Sequence, residues 1–356
     1  MARNTGSGAS SDAAWLRLFA AVAALPLVLT ACGGGGGGGG GTPTPPLTPT
    51  PSPSPPPPAP APTPTVAGTT WVNVAVASVG TLQSVDYANG HFVAVSDTGA
   101  SLSSTDGVTW TAGTALSSGS SADQFNAQAL THVGTTFIAA GSVSTSTNGA
   151  IATSSDGITW TAASATSVTT PVHGLVAGAR VLAFGDSGHI FASTTGSIWT
   201  SAATISGLPA LRAGAYSGSR YVAVGDGGYI AASNDSTAWQ ASQAALVGGV
   251  GVNLHAVTWT GSMFITVGDG GLIATSPDGY TWTKQTGVLT GSLRGVAAST
   301  GGELVVVGDT GIETSTDGVT WTVRDEVGAV ALFDVSWVNG EFMAVGATSA
   351  IKVSTN

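Results

Sequence analysis

The chain has 356 residues, of which only 8% are charged, and a formal net charge of −10 with just two lysines, Lys284 and Lys352. That balance argues against a nucleic-acid partner, because phosphate binding needs a basic stripe. The single cysteine, Cys32, excludes an intrachain disulfide and any multi-cysteine metal site, and neither a metal nor a cofactor is expected.

The N-terminal segment reads as an export signal. Arg3 and Arg17 precede an apolar run from Leu18 to Leu29, which is too short to span a bilayer but suits a signal-peptide core. The run meets Leu29-Thr30-Ala31-Cys32, which resembles a bacterial lipobox whose cysteine receives the lipid. Gly33 at the next position points to the outer membrane. Gly33 to Gly41 is an unbroken glycine run, and Thr42 to Thr65 alternates Pro with Thr, Ser and Ala. The second stretch favours polyproline II and reaches roughly 70 Å at about 3.1 Å per residue. The expected organisation is therefore a signal peptide over 1–31, a tether over 32–67 and a folded domain over 68–356.

From Trp71 onward one pattern recurs: an apolar strand, a turn, a second apolar strand ending Val-Gly-Asp, a glycine turn, then Ser-x-Asp-Gly-x-Thr-Trp. The clearest copies of the last element start at Ser104, Ser154, Ser276 and Ser315; degenerate copies carry Thr195 in place of Asp and Ser236 in place of Gly. Their tryptophans fall at 71, 110, 160, 199, 239, 282 and 321. A period near 40 made of strand-length apolar runs predicts four-stranded propeller blades, and seven tryptophans predict seven of them.

The two ends of this region fit together. The sequence ends Ser354-Thr355-Asn356, and Gly68-Thr69-Thr70-Trp71 supplies the missing half of the motif. The expectation is an all-β, seven-bladed β-propeller in which the N-terminal strand completes the last blade and leaves no sheet edge unpaired. In the sixth blade, strand A is expected at Leu293 to Ala298, B at Glu303 to Gly308, C at Gly311 to Ser315 and D at Thr320 to Arg324. Asn89-Gly90 and Asn339-Gly340 mark A-to-B hairpins. Antiparallel alternation puts the D-to-A and B-to-C connections on one face, the top, and the A-to-B and Ser-x-Asp-Gly turns on the other.

The Ser-x-Asp-Gly-x-Thr-Trp element resembles a shortened Asp-box (a BNR-like repeat), as found in sialidase-type propellers and in photosystem II assembly and stability factor propellers. Leu211-Arg212 and Leu293-Arg294 match the Leu-Arg with which blades of the assembly-factor family open. A structural role is expected for Asp106, Asp156, Asp235, Asp278 and Asp317, each accepting N–H groups of its own turn. The sialidase resemblance implies three arginines around a substrate carboxylate and a tyrosine paired with a glutamate. Here only Arg212 and Arg294 begin an A strand, while Arg180, Arg220 and Arg324 fall elsewhere. Of the glutamates, Glu303, Glu313 and Glu341 lie away from the top face, leaving Glu326 there.

One column of the A strands stands out. Aligned on Leu-x-x-Val, the second position reads Gln83, Gln128, His173, Arg212, His255, Arg294 and Phe333. Strand A is innermost and starts at the top, so this column surrounds the channel mouth. Two readings stand open. The His and Arg residues form an arc that receives a carboxylate, a phosphate or an acidic peptide, or they pair with Asp97, Asp186, Asp226, Asp269 and Asp309 of the B-to-C turns. These aspartates are too dispersed for a calcium site. Ala112 to Asn126, Ser142 to Asn148 and Ala241 to Val252 are top-face connections longer than the repeat requires.

The function expected from these readings is a monomeric, non-enzymatic lipoprotein of the cell envelope. It would bind a protein or glycan partner at its top face, as an assembly or scaffold factor, and touch the membrane by its anchor only. A sialidase-like hydrolase acting on glycans is the alternative. Changing Cys32→Ser should abolish incorporation of radiolabelled fatty acid and partitioning into detergent. Continued membrane pelleting of the variant, with an unlabelled parent, would refute the lipobox.

Overall fold

The computed structural model describes residues 67–120, 123–165, 167–243, 251–325 and 330–355. The signal peptide, Cys32 and the tether lie outside the described residues, as do Glu326, Asn356 and positions 244–250 of the connection that precedes the fifth blade.

Among the described residues, twenty-eight strands form seven four-stranded antiparallel sheets arranged as a seven-bladed β-propeller. Strand A of each blade packs beside strand A of the next, and that of the seventh blade, Leu332–Val338, meets that of the first, Leu82–Ala88. Seven apolar layers fill the seven spaces between adjacent blades. Strand B is buried on both faces, which explains its unbroken apolar character; Leu304–Gly308 of the sixth blade is an example. Strand D is outermost and mostly exposed, so its residues are chiefly Thr, Ser, Ala and Gln.

The ring closes through its termini. Trp71–Val74 pairs with Ile351–Ser354 in the register Trp71↔Ser354 to Val74↔Ile351. The Thr355 amide donates to Thr70 O at 3.1 Å, and Trp71 Nε1 donates to Gly68 O at 2.8 Å. The latter bond is the one that every other motif makes within a continuous stretch, as Trp282 Nε1 does to Gly279 O at 3.2 Å. The split motif is thus rebuilt in space from two ends of the chain.

Within each Ser-x-Asp-Gly turn the aspartate works locally. Asp106 Oδ1 accepts the amides of Val108 and Thr109 at 2.9 and 2.7 Å, and Asp317 Oδ1 those of Val319 and Thr320 at 2.8 and 2.7 Å. Asp156, Asp235 and Asp278 do the same. These donors hold the Asp106, Asp235 and Asp317 carboxyls down to about 2. Because Thr320 is still bound to the turn carboxylate, strand D of the sixth blade begins only at Thr322 and runs to Asp325, two residues later than the sequence suggests. Strands B and C likewise start one residue late, at Leu304 and Ile312. At the A-to-B hairpins, Asn89 and Gly90 have φ of 52° and 79°, and Asn339 and Gly340 have 51° and 90°, as a two-residue type I′ turn requires.

The second blade departs from the repeat. Its first two strands, Phe125–Val133 and Thr136–Val143, form a hairpin whose top end carries the pairs Phe125↔Val143 and Asn126↔Ser142. Part of the two long connections is therefore strand, and the loops proper are shorter and stand higher above the ring.

Closure should dominate stability. Deleting Gly68 to Ala75 removes a strand and leaves Ile351–Ser354 as an open edge, whereas deleting Gly33 to Thr65 removes only tether. The first deletion should melt many degrees lower or fail to fold, and the second should melt with the parent. Equal melting temperatures would refute closure by the N-terminal strand.

Candidate functional site

Leu and Val of the Leu-x-x-Val pattern stand three residues apart, yet both are buried between blades, as Leu82 and Val85 are. Strict strand alternation would place residues i and i+3 on opposite faces. The chain reconciles the two with a β-bulge at the same place in all seven A strands. Pairing jumps between Leu82 and Ser84, Ala127 and Ala129, Val172 and Gly174, Leu211 and Ala213, Leu254 and Ala256, Leu293 and Gly295, and Leu332 and Asp334. The residue left out of each ladder is the column residue. A bulge redirects its extra side chain, and here Gln83, Gln128, His173, Arg212, His255, Arg294 and Phe333 together line one opening of about 120 Å³. Beneath it the channel continues as a space of about 220 Å³ walled by the following positions.

The B-to-C turns are tied above these bulges by a second local device. A Cβ on Gly225, Gly268 or Gly308 would lie 2.1 to 2.2 Å from the carbonyl oxygen of the residue preceding strand A. Glycine permits that approach, and the next amide then bonds the same carbonyl: Asp226 N to Ala210 O, Asp269 N to Asn253 O and Asp309 N to Ser292 O, each at 3.0 Å. Each aspartate is thereby held over the column residue of its own blade.

The outcome is a set of pairs within blades. Arg212 donates from Nε and Nη2 to the two oxygens of Asp226 at 2.7 and 2.8 Å, and Arg294 to those of Asp309 at 2.6 and 3.3 Å. His173 Nε2 lies 2.7 Å from Asp186 Oδ1, and its Nδ1 lies 2.7 Å from Gln128 Oε1. His255 Nε2 lies 2.7 Å from Asp269 Oδ1, which also accepts the Ser292 hydroxyl at 2.9 Å. The Arg294 guanidinium further sits 4.9 Å above the Phe333 ring. The bond to Asp226 raises the Arg212 pKa further. Burial pushes the Asp269 carboxyl up, but His255 and Ser292 outweigh it and leave it below the usual range. Asp97 behaves differently, accepting the Thr81 amide at 2.9 Å within its own blade. Each Arg and His of the arc is therefore paired in place, four carboxyl groups facing two guanidiniums and two imidazoles. Gln83 makes no side-chain hydrogen bond among the described residues and faces the mouth.

The other arginines stay apart from this ring. The backbone of Arg180 is bound to Tyr221 Oη, Arg220 bonds Asn234 and stacks on Tyr280, and Arg324 donates to Thr314 Oγ1. Glu313 is buried in the sixth blade accepting the Val288 and Leu289 amides, and Glu303 takes the Ser299 hydroxyl. Glu341 opens strand B of the seventh blade.

One channel residue escaped the sequence analysis. Asp334 follows Phe333, at a position that is Ser, Ala or Gly in the other six blades. Its Oδ2 accepts the Ser84 hydroxyl at 2.8 Å and the Val85 amide at 3.1 Å, joining the seventh blade to the first. Burial raises its pKa, and the charge of Asp86 adds to that. Asp86 in turn takes His132 Nδ1 at 2.7 Å and raises the pKa of that imidazole. The signal was present as the one charged residue in a column of small ones.

No protein-family model and no curated protein sequence matches this chain. Solved propellers do. A structure of YCF48 bound to D1 peptide is 18% identical with a TM-score of 0.63, covering 80% of this chain and 97% of the other. The WD40 propeller domain of Doa1 is 12% identical with a TM-score of 0.63, covering 81% and 98%. A catalytically inactive virginiamycin B lyase from Staphylococcus aureus with quinupristin is 10% identical with a TM-score of 0.67, covering 81% and 99%. At these identities the likeness is one of fold.

The raised pKa of Asp334 has a defined sign in stability. A carboxyl that holds its proton more tightly when folded favours folding below the ordinary carboxylate range, and that contribution is lost as pH rises through the folded value. Asp334→Asn keeps an acceptor for Ser84 and Val85 and removes the buried charge. It should raise the melting temperature at pH 7 by on the order of a few degrees, with the gain vanishing towards pH 3. A lower melting temperature at pH 7 would show that the ionised form is the stabilising one.

Proposed function

We propose that this chain is a non-enzymatic propeller that receives a segment of a protein partner at the channel mouth on its top face. The observation that carries this reading is the convergence of seven bulged side chains on one opening, each cation fixed by an aspartate of its own blade. Locked side chains lose little further freedom when a ligand arrives, which favours binding. The mouth offers donors from the arginines, the free amide of Gln83 and partly exposed carboxylates on Asp186, Asp226, Asp269 and Asp309. That mixture suits the alternating donors and acceptors of a polypeptide better than a simple anion. The YCF48 propeller, solved with a D1 peptide, supports a protein partner for this architecture, and the Leu-Arg openings of two blades and the Asp-box-like turns agree with that resemblance.

In the same proposal, Cys32 carries a lipid and the Gly- and Pro-rich tether holds the propeller away from the outer membrane, where it serves assembly or scaffolding. A glycan partner, or hydrolysis of a glycan, fits the mouth less well. Glycosidase chemistry uses two carboxyls flanking the scissile bond, whereas the carboxylates here are spread around the ring and engaged with cations.

The pairs are partly exposed, so Arg212→Ala and Arg294→Ala should each cost only about 0–1 kcal/mol of stability. Capture of a partner from envelope extract by the full chain should fall sharply in both, and its salt dependence should weaken. Unchanged capture by the double variant would refute the mouth as the binding site; clear destabilisation with capture intact would assign the pairs to structure alone.

A further inference from the structure

The second blade departs from the repeat at the top end of its outer strands. Its strand D, Thr161–Ala162, is as short as Thr111–Ala112 of the first blade, but its strand C, Gly149–Ser154, extends two residues further up than Ser101–Ser104 does there. After the Ala163 amide bonds Ile151 O at 2.9 Å, the chain crosses to the third blade, where Ser164 N bonds Ser197 O at 2.8 Å. The top end of strand C, Gly149–Ser154, is thus left beyond the reach of its D strand. Above that edge stand the two loops lifted by the lengthened hairpin. They are clasped together: Ser144 N bonds Gln124 O, Gln124 N bonds Ser144 Oγ, both at 3.0 Å, and Asp123 accepts the Ser118 and Thr145 hydroxyls.

These features border a cleft of about 280 Å³. Its floor includes the small apolar side chains Val143 and Ala150, and its rim carries Ser118, Asp123, Ser146 and Asn148. Among the described residues no lysine, arginine, histidine or aromatic residue lines it, so they offer an anionic ligand no counter-charge and a flat aromatic ligand no stacking partner. The Asn148 side chain makes no hydrogen bond among the described residues, and its amide is available at the rim. A carboxylate, an amide and hydroxyls around a small apolar floor match a ligand with hydroxyl edges and a C–H face. The size is below that of a pocket for drug-like ligands and fits one ring. We propose that this cleft binds a single pyranose ring of a neutral glycan, as a site separate from the channel mouth.

Saturation-transfer NMR on the full chain tests this, with glucose, galactose, mannose and N-acetylglucosamine as probes and lysine methyl ester as a cationic control. At least one sugar should show saturable transfer at millimolar concentration. Asp123→Ala and Asn148→Ala should each weaken it about tenfold, while Arg212→Ala and Arg294→Ala leave it unchanged. Because Asp123 also clasps the loops, Asn148→Ala is the decisive variant, and a melt matching the parent certifies its fold. The proposal fails if no sugar in the panel gives transfer, if only lysine methyl ester does, if Asn148→Ala binds as tightly as the parent, or if the arginine variants abolish the signal. The last outcome would place the sugar at the mouth and would bear on the partner proposed there.

Discussion

Everything in this molecule depends on a ring that must close with equal spacing between blades. Seven apolar layers each bury one side of two sheets, so each layer needs both of its blades. The pairing of Trp71–Val74 with Ile351–Ser354 supplies that closure without a covalent link. The seam also carries the indole-to-carbonyl bond, three residues back, that the motif of every other blade makes. Since burial is shared around the ring, a lost seam strand exposes an edge and loosens the layers on both sides of it.

The same packing requirement creates the channel mouth. Turning both ends of the Leu-x-x-Val pattern to one face demands one extra residue, and the resulting bulge turns that residue towards the channel. In the fourth to sixth blades the close-packed glycine at the end of strand B then sets a turn aspartate over that residue. Core packing and the channel mouth are therefore two consequences of one local geometry, repeated seven times. Variation in function can enter at the bulged position without disturbing the layers, because its side chain belongs to neither ladder nor core. That freedom explains why Gln, His, Arg and Phe all occur there while the flanking Leu and Val positions stay apolar.

The fold was legible because its signals are periodic and local. The tryptophan spacing gave the blade count, and the split Ser-x-Asp-Gly motif gave the seam. Strand starts were less legible: Thr320 has strand-like chemistry, but its amide is held by Asp317 and pairing begins two residues on. The column of site residues was visible as a break in small and apolar composition. The bulge that aims it was missed, although Leu-x-x-Val spacing already conflicts with a period of two. Asp334 was missed because a single acidic residue in one blade of seven leaves no periodic trace. The pairing of each cation with its own blade's aspartate was one of two readings left open, since sequence gives the residues of a pair but not the distance between them.

Pairing within blades also limits what the mouth can do. Each arginine has two of its donors committed to an aspartate, so it offers a partner direction and hydrogen bonds rather than a free charge. An approaching anion would meet a guanidinium already neutralised at under 3 Å and a carboxylate beside it. Displacing that carboxylate would return it to water and leave the turn above without its tie to strand A's side chain. Recognition by a ligand that carries both donors and acceptors needs no such displacement. Under the proposed function, the mouth would select by pattern, with the ion pairs holding that pattern in place, as reading a polypeptide segment requires.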